Sequence, residues 1–147
     1  MPRVQRAPAR RRRRAKGDAA RSHAKKISTV LFEAWPAGVQ FAQLMQACEL
    51  SRHQLKDGLA MLRDEITDKG WPPLIHTRAE GYQFTGDLVA LQSYEVTRIH
   101  EHLVEVRRLI TATVGPHLNL APTDKYVRHM NSQLEGVAAT LDLLAAA

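Results

Sequence analysis

Apolar residues recur at helical spacing along most of this chain and at alternating spacing in one short stretch. From Ser22 onward, Ile27, Val30, Leu31 and Ala34 fall at i, i+3, i+4 and i+7, which predicts a helix with one buried stripe, stopped by Pro36 and Gly38. Val39-Gln40 can make a short extended step. Phe41, Leu44, Met45 and Cys48 then mark a second helix over about 41–48. The third helix has the clearest local signals. "SRHQ" reads as a capping box with Ser51 as N-cap and Gln54 reaching back to it, and Leu55, Leu59, Leu62 and Ile66 form its stripe. Gly70 and Pro72 close it.

The next segment, "PLIHTRAEGYQFTG", changes period. Alternation predicts a hairpin pairing Leu74–Thr77 with Tyr82–Thr85 across Arg78-Ala79-Glu80-Gly81, with Tyr82 and Phe84 on one face and Gln83 and Thr85 on the other. Such a hairpin is too small to stand alone, so Tyr82 and Phe84 are expected to cover the open side of the three helices. Helices two and three are separated only by about Glu49-Leu50-Ser51, which suits a helix-turn-helix corner, and the hairpin then stands as a wing. Asp87 can cap a helix reaching about Val114, with a stripe of Val96, Ile99, Leu103, Val106 and Ile110. "GPHLNLAP" is expected to break it, and Pro122 to open a last helix with the stripe Tyr126, Met130, Leu134, Val137, Leu141 and Leu144. Two helices with narrow seams predict an antiparallel hairpin or a helix-exchange dimerisation unit.

The expected fold class is mainly α with a small β-hairpin: a winged helix-turn-helix plus a C-terminal two-helix extension. The expected divisions are a disordered basic arm (1–21), a winged-helix domain (22–86) and a helical dimerisation or packing extension (87–147).

Charge alters this picture more than composition does. Residues 1–26 carry eight Arg and three Lys against Asp18 alone, +10, while the remaining 121 residues hold ten basic and fourteen acidic side chains, −4. The first twenty residues have no apolar periodicity and five consecutive arginines, so disorder is expected until something anionic binds. No apolar run approaches the ~18–20 residues of a membrane-spanning helix, and no hydrophobic signal stretch follows the N-terminal arginines. The only cysteine, Cys48, excludes an intrachain disulfide and reads as a core residue, which fits a cytoplasmic, nucleoid-associated protein.

The segment "FAQLMQACELSRHQLKDGLAMLRDEI" followed by "PLIHTRAEGYQF" resembles the winged helix-turn-helix proteins, and "IHTRAEGYQF" looks like the wing after the recognition helix of many bacterial regulators. The whole chain is also similar to small actinobacterial proteins of the RacP kind, on its basic N-terminus, "LITATVGPH" and "KYVRHM". Both resemblances imply binding of double-stranded DNA by the third helix and wing.

On that reading Arg52 is the candidate for guanine, because its guanidinium can donate two hydrogen bonds to O6 and N7. Gln54 can read adenine, in competition with its capping role. His53, Lys56 and Arg63 complete the outward face, with Lys56 better suited to phosphate; Asp57 opposes close approach. Arg78 at the wing tip suits phosphate or minor groove. Arg10, Arg11, Arg12, Arg13 and Arg14 can neutralise several phosphates or enter a narrow minor groove. Lys25 and Lys26 lie near the expected start of the first helix, unfavourably placed against its positive end unless phosphate is close.

No catalytic motif is present, and no enzymatic activity is expected. His100 and His102 point about 200° apart on a helix, and His117 and His129 lie elsewhere, so neither metal nor cofactor is expected. Trp35 and Trp71 read as lids on the core. The expected function is a transcription or replication regulator, dimeric through residues 87–147. Two alternatives remain: a sequence-independent nucleoid or plasmid architectural protein, and a winged-helix protein–protein adaptor.

Overall fold

The computed structural model describes the backbone of residues 8–146, and side chains from Gly17 onward. The chain is mainly helical with one two-stranded antiparallel hairpin, and it divides into two units, residues 1–87 and 88–147. The first unit runs α1 (Pro8–Ala34), α2 (Phe41–Cys48), α3 (Arg52–Lys69), β1 (Leu74–Thr77) and β2 (Gly81–Phe84). The second runs α4 (Leu88–Leu109), a π-helical turn (Ile110–Val114), α5 (Gly115–Leu120) and α6 (Lys125–Ala146).

Helix α1 begins at Pro8, not near Ser22, so residues 8–21 of the expected disordered arm are helical backbone. Residues 1–7 of that arm lie outside the described residues. The buried stripe explains part of the extension. Ala20 and Ala24 continue Ile27 and Leu31 toward the N-terminus at spacings of 4, 3 and 4, and all four are buried. Small alanines do not announce an apolar face, yet they allow α1 to lie close against α3. Arginine and alanine are also among the best helix formers.

Helix α2 ends at Glu49, in the left-handed region with φ 53°, and the buried Leu50 carries the chain into Ser51. At the start of α3 the Gln54 amide donates to Ser51 Oγ at 3.2 Å, and Ser51 N–H donates to Gln54 Oε1 at 2.9 Å. Gly70, with φ 63°, closes the helix. The core gathers Ile27 and Leu31, Val39, Leu44 and Cys48, Leu50, Leu55, Leu59 and Leu62, and Phe84. Phe84 stacks on Phe32 with centroids 4.4 Å apart, and Trp71 meets Phe32 edge-on at 5.2 Å. The hairpin therefore packs on α1, while Trp35 stays exposed and covers little.

The hairpin register differs from the expected one by one residue. Leu74 pairs with Phe84 and Thr77 with Gly81, leaving a three-residue tip of Arg78, Ala79 and Glu80. Gly81 is the cause. It has φ 75°, and a Cβ there would lie 2.5 Å from Val39 O. Only glycine allows β2 to start so close to the Val39 backbone, with which Tyr82 exchanges hydrogen bonds of 2.8 and 2.9 Å. Val39 thus forms the short extended step expected from the sequence, as an isolated bridge to Tyr82.

In the second unit α4 and α6 pack against each other, and Arg107 Nη2 reaches Asp142 Oδ1 at 3.1 Å. With the turn at 121–124 the two run antiparallel. The expected break at "GPHLNLAP" falls only on its last two residues, Ala121 and Pro122. The Gly115 N–H bonds to Ile110 O, widening one turn to a π-helix, and Pro116 follows directly at the start of α5. The chain turns only after Leu120. Asp124, and not Pro122, opens α6: its Oδ1 accepts from the Tyr126 and Val127 amides at 2.8 and 3.4 Å. The buried stripe of α6 is correspondingly displaced. Val127 is buried, whereas Tyr126, Val137 and Leu144 are exposed.

Candidate nucleic-acid interface

Helix α3 presents its exposed half in two differently charged strips. At about 100° per residue, Lys56 and Arg63 lie within roughly 40° of Arg52, so all three share one edge. Asp57, Asp64 and Asp68 fall roughly 120–160° from Arg52, along the middle of the exposed half. The basic edge borders aromatic rings. The Arg52 guanidinium carbon lies 5.6 Å from the Phe41 ring centroid, and that of Arg63 lies 5.7 Å from Tyr82. Tyr82 in turn contacts His76 at 4.5 Å and Phe41 at 6.5 Å. Each exposed cation–π contact contributes about 0.5–1 kcal/mol, enough to bias an arginine rotamer while leaving its N–H groups free for a ligand.

The hairpin tip is held from below. The Gln40 side-chain amide donates to Arg78 O at 3.3 Å and Ala79 O at 3.1 Å, and Glu80 N–H donates to Thr77 Oγ1 at 3.1 Å. Gly38 admits this packing, because a Cβ there would lie 2.1 Å from Glu80 O. The backbone around Arg78 is thus tied to the start of α2, while the Arg78 side chain is exposed.

Gln54 spends Oε1 on the cap, leaving its Nε2 for any other partner. His53 is exposed, with Nε2 3.4 Å from Asp57 Oδ2, so it faces the acidic strip and not the basic edge. Lys25 and Lys26 are exposed on α1. They lie about five turns after its start, and the expected conflict with the positive helix end therefore falls away. Lys26 is near Cys48: burial raises the thiol pKa and the lysine charge partly opposes that rise. Arg10–Arg14 belong to the first turns of α1, where the backbone alone is described.

The structure thus groups Arg52, Lys56 and Arg63 on one edge of α3, and sets Lys25, Lys26 and Arg78 on other elements. Sequence reasoning missed the parts of Phe41, Tyr82 and Gln40. Phe41 and Tyr82 read as core residues, yet both are half-buried under guanidinium groups, and nothing local relates Phe41 to Arg52 across the corner. Among the described residues there is no group of three or more His, Cys, Asp or Glu side chains able to hold a metal ion. No described helix is long and apolar enough to cross a membrane. No protein-family model, curated protein or solved structure matches the chain.

Proposed function

We propose that the first unit is a winged helix that binds double-stranded DNA, as a regulator of transcription or replication. The basic edge of α3 enters the major groove, where Arg52 at its first turn reads a base and Lys56 and Arg63 meet phosphate. The β1–β2 tip lies alongside, with Arg78 on phosphate or in the minor groove. The run Arg10–Arg14 supplies sequence-independent affinity. The observation that carries this reading is the clustering of Arg52, Lys56 and Arg63 on the α3 edge that borders Tyr82 of the hairpin. The helix, corner, helix, hairpin order supports it.

The acidic strip of Asp57, Asp64 and Asp68 favours a second reading, in which α3 approaches DNA obliquely or not at all. The arginine run then dominates and binding is sequence-blind, as in an architectural protein.

Binding of the full chain to random duplex and to a selection-enriched duplex, across a salt series, separates the two. The run is best neutralised as Arg10–Arg14→Gln, because deletion to residue 22 would cut through α1 and remove the buried Ala20. That variant is expected to lose affinity for both duplexes, and its salt slope to shrink by up to about 4. The triple variant Arg52→Ala, Lys56→Ala, Arg63→Ala is expected to lose the preference for the enriched duplex. A triple variant with unchanged preference and affinity removes α3 from the interface. A wild-type chain without any preference leaves the architectural reading.

A further inference from the structure

Helix α6 carries more apolar surface than α4 covers. Of the stripe read from the sequence, Met130, Leu134 and Leu141 are partly buried, while Tyr126, Val137 and Leu144 are 67, 45 and 51% exposed. On α4, Leu109 is 45% exposed. These residues share one side of the helical hairpin. The Arg107–Asp142 ion pair marks the other side, and Leu109 and Leu144 each lie two residues, about 200°, round their helices from it.

We propose that this side is a homodimer interface, and that its occupant is a second copy of the chain in antiparallel register about a two-fold axis near Val137. Three features favour a second copy. First, Met130, Val137 and Leu144 are spaced by seven residues, so a two-fold axis at Val137 sets Met130 against the partner's Leu144 and Val137 against its own copy. An isologous interface requires such a self-complementary strip. Second, the intervening positions on that edge of α6 are the uncharged Gln133 and Thr140, while the side of α4 that carries Leu109 also carries Glu95, Arg98 and His102. The charged Arg128, Glu135 and Asp142 fall on the opposite side of the helix. Third, the size is sufficient. A 22-residue helix is about 33 Å long, and α6 together with the adjoining side of α4 is about 20 Å wide, or roughly 660 Å² per copy, of which the α6 strip supplies about half. Both copies together then bury about 1,300 Å², above the ~1,000 Å² that a specific interface needs.

The dimer turns the antiparallel pair into a four-helix arrangement and gives the second unit the core it lacks, since among its described residues only Leu103, Val114 and Val127 are buried. It is independent of DNA binding and is tested without DNA.

Light scattering on the full chain at tens of micromolar is expected to give about twice the 16.5 kDa of one chain. Val137→Glu is expected to return it to one chain with an unchanged circular dichroism spectrum, whereas Ala139→Glu, on the other side of α6, leaves the dimer intact. Val137→Cys is expected to cross-link between copies under a mild oxidant, with Ala139→Cys and the wild-type chain as uncross-linked controls. A monomeric wild-type chain overturns the proposal. So does a dimer that survives Val137→Glu, or one that Ala139→Glu disrupts equally. Cross-linking of Ala139→Cys but not Val137→Cys would place the interface on the opposite side and overturn this one.

Discussion

Replacing Gly81 by alanine tests how the hairpin is fixed to the helical core. The substitution adds a single methyl group, but at φ 75°, where an L-residue with a side chain is disfavoured by about 1–2 kcal/mol. The methyl carbon would stand 2.5 Å from Val39 O, 2.7 Å from Val39 C and 2.8 Å from Gln40 Cα, all of them backbone atoms that no rotamer change can move. Relief requires β2 to separate from Val39, at the expense of the two Val39–Tyr82 backbone hydrogen bonds. At about 1 kcal/mol net each, these bring the expected loss to about 3–4 kcal/mol. For a cooperative unit of this size that is a fall in Tm of roughly 12–30 °C. Urea unfolding followed by tryptophan fluorescence is the suitable assay, because Trp35 and Trp71, the only two tryptophans, both lie in the first unit. Gly86→Ala is the control, since a Cβ at that position meets nothing within 4 Å. A loss below about 0.5 kcal/mol for Gly81→Ala, equal to that of the control, would refute the close approach of β2 to Val39 as the determinant of register.

Other substitutions probe separate links in the same chain of reasoning. Ser51→Ala removes the N-cap of α3 and is expected to destabilise the first unit by about 1 kcal/mol in the same urea assay, while Ser51→Asp retains most of the stability. Phe84→Ala empties the stack against Phe32 and is expected to cost about 3–5 kcal/mol, again by urea unfolding. Native Cys48 is expected to alkylate far more slowly than a free thiol at pH 8, because burial raises its pKa and lowers the thiolate fraction. Denaturant is expected to restore the ordinary rate, as followed by iodoacetamide labelling and mass spectrometry. Asp142→Ala breaks only an exposed ion pair and is expected to shift thermal stability by less than about 1 kcal/mol.

The sequence alone determined the parts of this protein whose cause is local. The capping box at Ser51 and Gln54, the closing Gly70 and the four-three-four spacing of Leu55, Leu59, Leu62 and Ile66 together define α3. Phe41 to Cys48 give α2, and the period change near Leu74 gives the hairpin. In each case the signal lies in capping residues, turn residues or the spacing of apolar positions within one short segment. The basic edge of α3 was half legible: Arg52, Lys56 and Arg63 could be placed on the outward side, but not the rings beneath two of them.

Tertiary structure decided the rest, because the deciding contacts join residues far apart in the chain. The first helix begins early where Ala20 and Ala24 continue its buried stripe, a stripe too small in side-chain volume to stand out as periodicity. The hairpin shifts by one residue because Val39 approaches Gly81, some forty positions away. Two departures in the second unit are local instead: a π-turn at Ile110 lets helical backbone continue past Val114, and Asp124 caps α6, which buries Val127 and not Tyr126. Local propensity sets which segments become helix or strand; the close approach of distant backbones sets where they start, how they register, and which of their faces remains open to a partner.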